Sequence, residues 1–100
     1  MPKGFWEKTK PLFVLAPMAD VTDAAFRRII AKYSKPYGPD AMWTEFVSCD
    51  GLCSDGKKAL LKNLEYTEAE RPIVAQFFGA KPDNFYHCAQ LSQELGFDGI

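Results

Sequence analysis

Three short apolar runs, each separated from the next by more chain than a hairpin turn needs, constrain this sequence most. They are Leu12-Phe13-Val14-Leu15-Ala16, Ala41-Met42-Trp43-Thr44-Glu45-Phe46-Val47 and Ile73-Val74-Ala75-Gln76-Phe77-Phe78-Gly79. The first is continuously apolar and suits a short strand buried on both faces, as in a parallel sheet, and the other two read as strands with Thr44-Glu45 and Gln76 among their apolar residues. Parallel neighbours need a crossover, and helix-compatible segments fill the intervals. After the first run, Thr22 or Asp23 can cap a helix whose Phe26, Ile29, Ile30 and Tyr33 form one apolar stripe for packing onto the sheet. Between the second and third runs, Ser48 to Gly56 reads as a loop with at most a short helix, Lys57 to Leu64 as helix-compatible, and Glu65 to Arg71 as polar and exposed. After the third, Pro82 opens a helix with Phe85, Cys88, Ala89, Leu91, Ser92 and Leu95 on one face, closed by Gly96. Phe97-Asp98-Gly99-Ile100 reads as the entry to a fourth strand. The class is α/β with crossover helices, and the order alone leaves an open sheet and a barrel both available.

The chain of 100 residues carries 12 basic and 13 acidic side chains, so no global charge draws it to a polyanion. Short basic groups occur at Lys3, Lys8 and Lys10 and at Lys57, Lys58 and Lys62; they read as solvated faces. No apolar h-region follows the first residues, and no uninterrupted apolar stretch reaches the roughly 18 residues of a membrane span, which gives a cytoplasmic expectation. The dinucleotide fingerprint G-x-G-x-x-G and the P-loop pattern are both absent.

In parallel α/β folds ligands collect at the carboxyl ends of the strands. Here those ends hold Ala16-Pro17-Met18, Thr44-Glu45, and Gln76 with Gly79. A proline fixes the backbone, a methionine offers a polarizable surface to a ring face, and a glutamine offers a donor and an acceptor to a ring edge. The set suits a flat aromatic ligand with a polar rim. Gln76 on an otherwise apolar strand needs partners in any case. Glu45 could face substrate or form an ion pair. Of the cysteines, Cys49 and Cys53 are spaced for a metal pair but lack a second pair, Cys88 lies on the apolar face of its helix, and the sole histidine, His87, points elsewhere; no metal site is expected.

Leu15-Ala16-Pro17-Met18-Ala19-Asp20-Val21-Thr22-Asp23-Ala24-Ala25-Phe26-Arg27 resembles the opening motif of the tRNA-dihydrouridine synthases. Thr44-Glu45-Phe46-Val47 resembles their second-strand ending, and Arg71-Pro72-Ile73-Val74-Ala75-Gln76-Phe77-Phe78-Gly79, leading on to Gly96-Phe97-Asp98-Gly99-Ile100, is a third match in the family's order. The resemblance implies an FMN-binding TIM (β/α)8 barrel, of which residues 1–100 are an incomplete N-terminal part with about three to four βα units, since a whole barrel takes about 250 residues. It implies reduction of uridine in tRNA to 5,6-dihydrouridine with NADPH as reductant. Ala16, Pro17 and Met18 would then lie along the flavin ring, and Gln76 would hydrogen-bond its edge. The family's general acid is a cysteine in an Asn…Gly-Cys-Pro motif that lies beyond Ile100, so Cys49, Cys53 and Cys88 do not inherit that role and the fragment alone is expected to be inactive. Two other readings stand beside this one: another FMN-dependent TIM-barrel oxidoreductase, and a non-catalytic half-barrel.

Overall fold

The computed structural model describes Glu7 and residues 11–100; Lys3, Lys8 and Lys10 lie outside the described residues. Its elements are β1 (Val14–Leu15), α1 (Ala24–Ser34), β2 (Ala41–Ser48), α2 (Cys49–Leu52), α3 (Lys57–Leu60), two 3₁₀ turns (Leu61–Leu64 and Glu68–Glu70), β3 (Ile73–Phe78) and α4 (Pro82–Leu95). The three strands form one parallel sheet in the order β1-β2-β3. The expected fourth strand begins as a single parallel bridge, Val74 to Gly99, with Ala75 N–H donating to Gly99 O at 3.0 Å.

One face of the sheet packs under the helices. Met42, Val47, Ile73 and Ala75 join Ala31, Cys49, Leu52, Leu64, Cys88 and Phe97 in one core cluster. Burying a side chain such as Ile73 or Met42, both 0% exposed, contributes about 1.5–3 kcal/mol. The opposite face has a small cluster of Ala41 and Val74, with Trp43 packed against it. Side chains alternate along a strand, so Val74, Gln76 and Phe78 share that second face.

Local signals set the helix ends. Asp23, not Thr22, caps α1, its carboxylate accepting from Phe26 N–H at 2.8 Å. Pro82 opens α4, and Gly96 ends it at φ 85°, where a Cβ would also stand 2.9 Å from the Tyr66 hydroxyl. That hydroxyl donates to Leu95 O at 2.6 Å. No helix among the described residues is long and apolar enough to cross a membrane.

Three sequence expectations are corrected. β1 is two residues long and not buried on both faces: Phe13 is 74% and Val14 43% exposed, because β2 is the one strand that pairs with it among the described residues. In α1 the expected stripe fails at Ile29 and Tyr33, both exposed, and the residues the helix buries are Arg27 and Ala31. The stretch Glu65 to Arg71 is not uniformly exposed, since Glu70 is fully buried.

The last two corrections have one cause. Arg27 Nε donates to Glu70 Oε1 at 2.6 Å, while its Nη1 and Nη2 donate to the carbonyls of Thr22 at 2.6 Å and Glu65 at 2.8 Å. The other Glu70 oxygen accepts from the Thr67 N–H at 2.6 Å and the Thr67 hydroxyl at 3.0 Å. These bonds turn the helix so that the guanidinium, not the Ile29 and Tyr33 side chains, goes inside. A second pair clamps the entry to β3: Arg71 reaches Asp98 and Glu68, and Asp98 Oδ2 also accepts from Ile73 N–H at 2.9 Å. The Asp98 carboxylate first, and Glu68 second, push the Arg71 pKa above its usual value.

Candidate active site at the strand ends

The backbone carries β1 straight into the turn of Ala16-Pro17-Met18. Leu15 packs against the helix-side core, so alternation turns Ala16 toward the face that carries Val74 and Gln76. Ala16 and Met18 are exposed and Pro17 is half-buried. Met18 is held through both backbone groups: its N–H donates to Thr22 Oγ1 at 3.0 Å, and its carbonyl accepts from Val21 N–H at 3.0 Å and Thr22 N–H at 2.9 Å. Thr22 is fully buried, so this side chain locks the turn rather than capping α1.

Gln76 lies on β3 opposite Phe46 of β2. Its backbone N–H donates to Thr44 Oγ1 at 3.0 Å. Its half-buried side-chain amide has no hydrogen bond to any described residue. Beside it, the rings of Phe46 and Phe78 meet edge to face with centroids 5.1 Å apart, and each is about half exposed. The second face therefore presents, near its carboxyl end, a small residue, two aromatic rings and an amide with spare donors and an acceptor. β2 lies between the two groups of expected site residues, so the Ala16 turn and Gln76 are two strand spacings apart, about 10 Å.

A β-bulge shapes the middle of this site. β2 and β3 pair as Trp43 with Val74 and then Phe46 with Gln76, so Thr44 and Glu45 both stand opposite Ala75. The Thr44 hydroxyl substitutes for the missing ladder acceptor by taking the Gln76 N–H. The half-buried Glu45 carboxylate accepts from the backbone N–H of Asp20, a residue in the left-handed region at φ 63°. Sequence reasoning placed Glu45 at a strand end but gave it no partner. A charged residue inside an apolar strand run was the available signal.

The cysteines sit elsewhere. Cys49 and Cys88 belong to the helix-side core, and Cys53 is exposed at the end of α2. Burial, helped by the neighbouring Cys49, pushes the Cys88 thiol up to about 12, and burial likewise raises that of Cys49. A thiolate is the reactive form, so a disulfide reagent at pH 8 should titrate Cys53 alone in the folded chain and all three thiols after denaturation. Rapid reaction of Cys88 without denaturant would contradict this packing. An open cleft of about 520 Å³ near α2 and α4 brings Cys53, His87 and Asn84 to its walls. No hydrogen bond joins Cys53 to His87, and Asn84 donates instead to Asp50 at 2.6 Å. No group of three or more His, Cys, Asp or Glu side chains among the described residues could hold a metal ion.

Comparison with known proteins identifies the family. The family model described as dihydrouridine synthase matches residues 14–100. The chain is 43% identical to the "Probable tRNA-dihydrouridine synthase 2" of Bacillus subtilis and 36% identical to the "Probable tRNA-dihydrouridine synthase" of Staphylococcus aureus strain COL, in both cases along its whole length. It spans 30% of the length of each of these relatives.

Proposed function

The chain belongs to the dihydrouridine synthase family, and on that premise we propose that it forms the flavin-facing N-terminal part of an enzyme that reduces uridine in tRNA to 5,6-dihydrouridine with NADPH. The observation that carries the proposal is the unpaired amide of Gln76 on the sheet face that also presents Ala16, Phe46 and Phe78. A polar side chain on a largely apolar surface is retained at a cost unless a ligand meets it. The donors, acceptor and apolar surfaces on this face fit the polar rim and flat body of FMN. When bound, FMN would supply the hydride chemistry.

Each site residue then has a physical task. Ala16 leaves room for close approach of a ring, and Pro17 fixes the path of the backbone past it. Met18, 40% exposed on a turn held by Thr22, offers a polarizable surface to the ring face. Gln76 would donate to and accept from the ring edge. Phe46 and Phe78 would keep water from that side. The proton delivered to the uracil would come from outside this set: Cys49 and Cys88 lie under the helices, on the other side of the sheet.

The sequential order β1-β2-β3, continued by the bridge to Gly99, supports a barrel, because an open doubly wound sheet reverses its strand order near the start. The exposed outer edge of β1, with Phe13 and Val14, suits a position beside further strands. A target base in tRNA would have to leave its stack to reach such a site, and the setting would be cytoplasmic. The test is the tRNA of a strain lacking the gene, digested to nucleosides and weighed by mass spectrometry. Dihydrouridine should fall, and the full gene product should purify yellow. A yellow protein with unchanged dihydrouridine would indicate a different FMN oxidoreductase; a colourless, soluble monomer would indicate a non-catalytic module.

A further inference from the structure

We propose that Glu45 is a positioning residue for the flavin-facing turn: its carboxylate, carried by the β2 bulge, holds the Asp20 backbone and through it the placement of Met18. The inference rests on the flavin reading of the site. Among the described residues, the bond from Asp20 N–H to Glu45 Oε1 is the only hydrogen bond from residues 16–21 to another strand or helix. Every other bond of that turn is internal or closes on Thr22. Thr22 thus fixes the shape of the turn, and Glu45 fixes where the turn stands relative to the sheet.

Two independent features show that the contact is built. The bulge gives β2 an extra residue where Thr44 already covers the ladder, which frees Glu45 from keeping strict register with β3. Asp20 adopts a left-handed φ of 63°, a conformation uncommon among non-glycine residues and open chiefly to Asn and Asp, which aims its N–H at the Glu45 carboxylate. An ionised acceptor makes the bond stronger than a neutral one would. Met18 lies two residues before Asp20, and its carbonyl already bonds Val21 and Thr22, so displacement of Asp20 displaces Met18 as a unit.

The experiment compares Glu45→Ala and Glu45→Gln with wild type in the full chain, reading FMN affinity by fluorescence titration, the flavin absorption spectrum and thermal stability. Loss of a hydrogen bond to a charged group predicts about tenfold weaker FMN binding for Glu45→Ala, with an altered flavin spectrum. Glu45→Gln keeps a carbonyl acceptor and should restore most of the affinity. Asp20 amide exchange should quicken in Glu45→Ala and stay slow in Glu45→Gln. Wild-type binding with unchanged affinity and spectrum in a folded Glu45→Ala overturns this inference and leaves the flavin reading intact. Failure of Glu45→Gln to recover binding lost by Glu45→Ala also overturns it. Absence of FMN binding by the wild-type full chain overturns the flavin reading, and this inference with it.

Discussion

Replacing Arg27 by methionine should cost the fold about 3–5 kcal/mol, because it strands the Glu70 carboxylate without its partner in the interior. Both side chains are essentially inaccessible, at 1% and 0% exposure, so solvent screening offers no relief. Arg28 does not replace Arg27, since its Nε stands 3.9 Å from Glu70 and its side chain is half exposed. Folded domains have only about 5–15 kcal/mol of stability, so the variant should be largely unfolded or melt far below wild type. Glu70→Gln should also destabilise, because it takes the carboxylate from the buried Arg27 guanidinium, which keeps only its bonds to the Thr22 and Glu65 carbonyls. The double variant Arg27→Met with Glu70→Gln should be more stable than Arg27→Met alone, since the charge left behind is gone. Urea unfolding of the four proteins measures the coupling. A loss below about 1 kcal/mol in Arg27→Met would mean that the pair is not buried as described.

The same pair marks where the sequence stops being legible. Features set by neighbouring residues could be read directly: Pro82 and Gly96 bound α4, Asp23 is one of the two caps foreseen for α1, and the apolar runs give β2 and β3 to within a residue. The partners Arg27 and Glu70 are 43 residues apart, and a 3.6-residue period treats any arginine as an outward residue. A trace was nevertheless present. Thr67-x-x-Glu70 has the capping-box spacing, which ties one Glu70 oxygen to the backbone and makes an exposed, mobile side chain there a poor expectation. At the site, the residue types at the strand ends pointed to Ala16-Pro17-Met18, Thr44-Glu45 and Gln76 with Gly79, the family resemblance narrowed these to Ala16, Pro17, Met18 and Gln76, and the sheet order sets the Ala16 turn and Gln76 on either side of β2. The bulge that ties Glu45 to Asp20 depends on the register between β2 and β3, which no single segment encodes.

Gln76 separates a structural role from a binding role by the sign of its effects. A glutamine kept for packing would lose stability on replacement by leucine, since its bonds would be broken. Here the side-chain amide has no bond to any described residue, while the Gln76 backbone N–H donates to Thr44 whatever the side chain. Gln76→Leu should therefore leave the unfolding midpoint unchanged or raise it, because leucine suits the surface beside Val74, Phe46 and Phe78 better than an unpaired amide does. In the full chain the same substitution should weaken FMN binding about 10- to 100-fold, the cost of leaving the polar edge of the ring unmet at about 1–3 kcal/mol. Stability rising while affinity falls is the pattern of a residue retained for function against the preference of the fold. Isothermal titration with FMN and thermal melting of the same preparation give both signs at once. If Gln76→Leu binds FMN as wild type does, the amide is not the group that meets the ring, and the four strand-end residues lose the member that best distinguishes a flavin site from ordinary packing.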